Sequence, residues 1–169
     1  MTDARIRVYF ELPENDWHGG GLEGLWAEPL EASPSGTVYR LLNSPYYARG
    51  ISYLDVVRAV QRQDGGSGLA FAGIIDHSGH STYMILTPAR TEEFESLWNR
   101  LSVLGCTYES AGIEKSASRN RELLSVDVPP SSDIHAAYAI LEEGEKNNVW
   151  TFQEGHCAHV LGRNSRSKY

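Results

Sequence analysis

Cysteine is scarce in this chain. Only Cys106 and Cys157 occur among 169 residues, too few and too far apart for a disulfide framework, and both are expected to stay reduced. No apolar run approaches the roughly 18 residues that a membrane-spanning helix needs. The opening Met1-Thr2-Asp3-Ala4-Arg5 lacks the apolar stretch of a secretory signal. These absences predict a cytoplasmic protein with no membrane partner. Positive charge is also short: 15 Lys and Arg stand against 22 Asp and Glu, and the formal charge of -7 repels phosphate backbones. Nucleic acid is thereby disfavoured as a partner, and a basic protein partner suits the balance. No phosphate loop, dinucleotide fingerprint or nucleophile elbow occurs, so no cofactor is expected and no reaction is named.

What is present is an ordinary globular composition, 41% hydrophobic, long enough for one sizeable core or two small ones. Ile6, Val8 and Phe10 alternate with Arg5, Arg7, Tyr9 and Glu11, the period-2 pattern of a half-buried strand that Pro13 stops. After the glycine-rich loop Asp16 to Gly21, Leu25 to Glu28 is extended again and is predicted to end at Pro29. Thr37 to Leu42 and Leu69 to Asp76 read as further strands. Leu54 to Val60 reads as a strand, with a short helix as the alternative. About five short strands separated by turns predict a small β-barrel or curled antiparallel sheet over residues 1–77.

The second half alternates strand and helix signals. Thr82 to Leu86 is a buried strand. Thr91 caps a helix whose Phe94, Leu97, Trp98, Leu101 and Leu104 make one apolar stripe, ended by Gly105. Cys106 to Ala111 reads as an edge strand, and Leu123 to Val128 as a central one. Ser131-Ser132-Asp133 caps a helix striped by Ile134, Ala137, Tyr138 and Leu141, and Trp150 to Phe152 is the last strand. The order βαββαβ over residues 78–157 predicts a ferredoxin-like sandwich, two helices on one face of a four-stranded sheet, giving an α+β chain. The strands carry Tyr83, Tyr108 and Phe152 but few cations, so covering of the opposite face by the N-terminal sheet is expected instead of RNA. Residues 158–169 are polar and predicted to be a disordered tail.

Four groups of residues could carry chemistry. Asp76, His77 and His80 lie in the connection between the halves, and two imidazoles beside a carboxylate are acceptable ligands for Zn²⁺ or a similar ion. The plainer account has the histidines bonding loop carbonyls while Gly79 makes the turn. His156-Cys157-Ala158-His159 offers a thiol and two imidazoles, which an extended backbone would split between two faces. Trp17 and His18, in a loop with three glycines, could close over a ligand or simply connect two strands. Tyr46, Tyr47 and Arg49 are of the type enriched at protein interfaces, or the tyrosines could fill the end of the barrel.

Several of these segments carry a resemblance. Leu25-Trp26-Ala27, Asn43-Ser44-Pro45-Tyr46-Tyr47-Ala48, Gly50-Ile51-Ser52-Tyr53 with Asp55-Val56-Val57, and Gly79-His80-Ser81-Thr82-Tyr83 resemble the motifs of an uncharacterised bacterial family known only as a domain of unknown function. The resemblance runs from about Arg5 to Gly155. It implies a bacterial, cytoplasmic origin and carries no activity across.

Two functions remain open on these residues. The first is a non-enzymatic binding or regulatory protein, such as an immunity-type or inhibitor protein, that holds a basic protein partner through an acidic surface. The second is an enzyme or sensor with a small-molecule or metal pocket at the junction of the halves, using Asp76, His77, His80 and His18.

Overall fold

A computed structural model describes residues 5–16, 19–33, 36–112 and 121–161. Trp17 and His18 and the tail from residue 162 onward lie outside the described residues. The first strand, β1 (Ile6–Leu12), pairs antiparallel with β2 (Gly21–Ser33). It turns Val8 and Phe10 inward, as the alternation requires. The meander continues through β3 (Gly36–Leu41), β4 (Val56–Gln61) and β5 (Leu69–Asp76). β5 then pairs with β1 to close a five-stranded barrel. An odd number of alternating strands brings first and last into the same direction. The closing pairs Val8 with Leu69 and Tyr9 with Ala70 are accordingly parallel.

The second strand corrects the sequence reading, because it does not end at Pro29. Pairing with β1 stops at Ala27, so Pro29 has no ladder partner on that side to disappoint. On the other side it sits opposite Tyr39, at the start of a register shift that runs to Ala32. Proline is tolerated where the ladder is already irregular. Segment 54–60 resolves as strand, not helix, from Val56 onward.

The remaining elements are β6 (Ser81–Thr87), α1 (Glu92–Val103), β7 (Thr107–Gly112), β8 (Glu122–Val128), α2 (Ile134–Lys146) and β9 (Thr151–His156). Their four strands form an antiparallel sheet in the order β7-β8-β6-β9. Thr91 caps α1 by accepting from the Phe94 N–H at 3.2 Å. At the other end Gly105, with φ 93, lets its own N–H and that of Cys106 return to the Ser102 and Leu101 carbonyls. Asp133 caps α2 through the His135 and Ala136 amides. The last strand begins at Thr151, one residue after its predicted start at Trp150, and runs past Phe152 to His156.

Two apolar cores result. One holds Val8, Phe10, Leu25, Leu41, Ile51 and Val57 inside the barrel. The other packs Phe94, Leu97 and Leu101 of α1 and Ile134, Ala137 and Leu141 of α2 on Tyr83, Ile85, Leu124 and Val126. Trp150 is buried in this second core and donates its indole N–H to the Leu141 carbonyl. Its ring lies so close to Gly144 that no side chain could replace that hydrogen. No helix among the described residues is long and apolar enough to cross a membrane.

The edge of the sheet is clamped from outside. Arg90, just before α1, makes paired bonds to Glu122 at 2.8 and 2.6 Å and a further one to the Tyr108 hydroxyl. Those bonds hold the Glu122 carboxyl below its ordinary range. A carboxyl whose pKa is lowered by folding stabilises above its unfolded pKa, and that stability is lost as pH falls through the folded one. Glu122→Gln should therefore cost about 0.5–1 kcal/mol at pH 7 and almost nothing near pH 3. Urea denaturation at the two pH values measures the difference.

Candidate functional site

The segment from residue 42 to residue 55, between β3 and β4, lies across the sheet face opposite the helices. Side chains alternate along a strand, so if Tyr83, Ile85, Leu124 and Val126 face the helices, Thr82, Met84, Ser125 and Asp127 face this segment. The contacts are polar. The Ser125 hydroxyl donates to the Pro45 carbonyl, Thr82 to the Ser52 hydroxyl at 2.8 Å, and the Gly50 N–H to the Gly155 carbonyl at 2.9 Å. A seam of hydrogen bonds thus joins barrel to sheet, and a segment of the N-terminal half does cover part of that face.

Asp55 is the centre of the seam. The turn that delivers it closes from the Asp55 N–H to the Ser52 carbonyl, with Leu54 at φ 64. That left-handed backbone costs a non-glycine residue of order 1 kcal/mol. The Asp55 side chain is fully buried and every bond it accepts crosses a turn or an element boundary. One oxygen accepts from the Ser78 N–H at 2.8 Å; the other accepts from the Ser52 N–H at 2.9 Å and lies 3.0 Å from His77 Nδ1. The His77 ring stacks on His156 with centroids 4.4 Å apart. Burial, and then the neighbouring His77, hold His156 below the usual imidazole range, so it is neutral at pH 7. Ligand atoms of Asp55, His77 and His156 all lie within 4.8 Å of one another.

His80 turns to a different carboxylate. Its Nδ1 lies 2.8 Å from one oxygen of Asp127 and 3.0 Å from the other, with Tyr53 edge-on to the ring at 5.4 Å. Burial raises the Asp127 carboxyl above its ordinary range, with His80 opposing. Glu109, on the neighbouring strand and the same face, is raised by partial desolvation, with Asp127 adding, while it accepts from the Ser44 N–H. These two carboxyls, with Tyr53, Ser44 and Ser125, line a crevice of about 420 Å³ between segment and sheet.

The residues singled out in the sequence are thus distributed. His77 and His80 sit side by side on the seam but serve Asp55 and Asp127 respectively. Asp76 ends β5, exposed, opposite Val56. Tyr46 and Tyr47 are partly buried, and their backbone N–H groups, with that of Ala48, bond the Glu23 carboxylate at 2.6, 3.0 and 2.7 Å. Burial first, then Glu109 and Glu23, push the Tyr46 hydroxyl up to about 12. Arg49 bridges Asp16 at 3.2 Å and Gln153 at 3.0 Å, and with Tyr47, Phe10 and Phe71 lines a second cavity of about 420 Å³ at the barrel mouth. The second cluster is divided. His156 joins the seam and Cys157 packs on the helical core. His159 lies 2.6 Å from the Ser81 hydroxyl through Nδ1 and 3.0 Å from the Pro129 carbonyl through Nε2. Asp55, Asp127, Glu109 and Glu23 were not among the sequence candidates. Asp127 could have been suspected as a carboxylate in the apolar run of a predicted strand, and Glu23 shares the parity of Leu25 and Ala27 but precedes the predicted strand by two residues.

Residues 23–152 match the sequence model of a family described as a Domain of unknown function (DUF4265). The chain belongs to that family. The match begins at Glu23 and contains Asp55, His77, His80, Glu109 and Asp127, so these seam residues fall inside the DUF4265 region while Gly155 and His156 lie just beyond it. A solved structure described as a novel crystal structure of a hypothetical protein from Neisseria gonorrhoeae shares the fold. It superposes with a TM-score of 0.64 at 19% identity, over 95% of this chain and 99% of that one. No curated protein matches the sequence.

The Glu23 carboxylate is the anchor of the DUF4265 seam at the barrel end. Glu23→Ala leaves three amide N–H groups without acceptors and should cost roughly 3 kcal/mol. Urea denaturation measures that loss, and faster amide exchange confined first to Tyr46, Tyr47 and Ala48 would locate it.

Proposed function

We propose that this chain is a non-enzymatic binding protein of the immunity or inhibitor type, acting in the cytoplasm, that receives a basic side chain of a protein partner in the seam crevice. The observation that carries the reading is the pairing of Glu109 and Asp127 on one wall of that crevice. Both carboxyls are raised, each in part by what surrounds it, so a lysine or arginine placed between them would lower both back toward their ordinary range. The formal charge of -7 supports the same direction, steering a basic partner toward the surface from a distance. Tyr53, which also lines the crevice, offers aromatic surface to such a cation.

The scaffold reading that goes with this is a ferredoxin-like sandwich for the second half. It is supported by the strand order β7-β8-β6-β9, with a helix linking β6 to β7 and another linking β8 to β9. A sheet of that kind has one face open for binding, and here the barrel's segment narrows the open face to a crevice.

Affinity capture from the source cells tests the proposal, comparing the natural chain with Glu109→Gln/Asp127→Asn at low and at 0.5 M salt. A basic protein retained by the natural chain at low salt, and lost at least tenfold with the double variant or at high salt, is expected. Retention of the same partner by the double variant would contradict it, as would a partner that is acidic.

A further inference from the structure

Three parts of the chain far apart in sequence meet at one end of the seam. They are the turn before β4, the residue after β5, and the last residue of β9. Each brings a side chain that metals take: Asp55, His77 and His156. We propose that these three form a site for a divalent transition ion of the Zn²⁺ class, independent of the Glu109 and Asp127 crevice.

The roles follow from the hydrogen bonds. The Asp55 carboxylate accepts from the Ser52 and Ser78 amides, and its 3.0 Å contact to His77 Nδ1 sets an oxygen and a nitrogen at about the separation of two ligands on one ion. An ion bound there replaces the proton of that contact, which is released as the metal enters. His156 presents the second nitrogen. Its Nε2 is shielded from solvent and has no hydrogen-bond partner among the described residues. A buried ring nitrogen in that condition costs stability, and a cation is one group that would satisfy it. The two rings stack, 21° from parallel, whereas nitrogen lone pairs lie in the ring planes. Sharing one ion therefore requires one ring to turn out of the stack. His77, with 41% of its side chain exposed, is the ring with room to do so.

The donor set chooses the ion. Two imidazoles and one carboxylate suit Zn²⁺, Co²⁺ or Ni²⁺ and are poor for Mg²⁺ or Ca²⁺, which prefer oxygen alone. Open positions would be filled by water. Asp55 and His77 belong to the barrel end and His156 to the sheet, so bound metal would tie the two halves together.

The test is titration of the full chain, stripped with chelator, with Co²⁺ followed by its visible absorption and with Zn²⁺ followed by calorimetry. One ion per chain is expected, with Mg²⁺ causing no heat. His156→Gln and His77→Gln should each weaken Zn²⁺ at least tenfold and change the Co²⁺ spectrum. His135→Gln, on an exposed helix position, should change neither. Asp55→Asn is not needed for the decision, because the His156 variant removes a nitrogen that no other described residue uses. Circular dichroism and thermal melting of each variant check that its fold persists. Absence of Zn²⁺ binding to the natural chain, or binding by His156→Gln or His77→Gln as tight as that of the natural chain, overturns the site. Because neither variant touches Glu109 or Asp127, that result would leave capture of a basic partner unaffected.

Discussion

Everything at the seam depends on one buried carboxylate. Asp55 has no contact with solvent, and its two oxygens take up the Ser52 and Ser78 amides and the His77 ring. A polar group so placed is tolerable only when its bonds are complete. That requirement fixes the turn at Ser52, the left-handed backbone of Leu54 and the exit of β5 at once. Ser52 then passes the constraint on, since its hydroxyl accepts from Thr82 of the central strand. A single acid thereby sets the position of the barrel against the sheet.

The same device recurs at the other end of the segment. Glu23 occupies an inward position of β2 beside Leu25 and Ala27, where an apolar side chain would ordinarily sit. It meets the successive amides of residues 46–48, which would otherwise be left without partners as the chain leaves the barrel. Between the two acids, the segment has little regular structure yet is well ordered by side-chain bonds. Two cores of modest size are thus joined by polar contacts instead of a third apolar cluster. A polar joint can admit ions and polar ligands in a way that an apolar one does not, and both proposed sites lie on it.

Much of the architecture was legible in the sequence. Ile6, Val8 and Phe10 announced β1, and the Phe94 to Leu104 stripe with Thr91 and Gly105 announced α1 and both its ends, because these signals are local. The end of β2 was not legible, since whether Pro29 breaks a strand depends on which neighbour it would have bonded. The site was legible only in part. His77 and His80 stood out as a pair, yet each looks to an acid that sequence could not assign, Asp55 in the turn before β4 and Asp127 on the neighbouring strand β8. Asp127 left a faint signal as an acid in an apolar run, and Glu23 one as an acid sharing the parity of Leu25 and Ala27. Asp55 left none, because its burial is produced by the seam and not by its own strand. His156 was visible within a cluster, but its neighbour His77 belongs to another half of the chain.

The central claim is that Asp55 fastens barrel to sheet. Amide hydrogen exchange on the natural chain and on Asp55→Ala tests it most directly. The account predicts that β4, β5 and β6 of the natural chain open together, and that in the variant β4 and β5 lose protection while Leu124, Val126 and the α1 amides keep theirs. Unchanged protection of β4 and β5 in the variant, or equal loss throughout both cores, would contradict it.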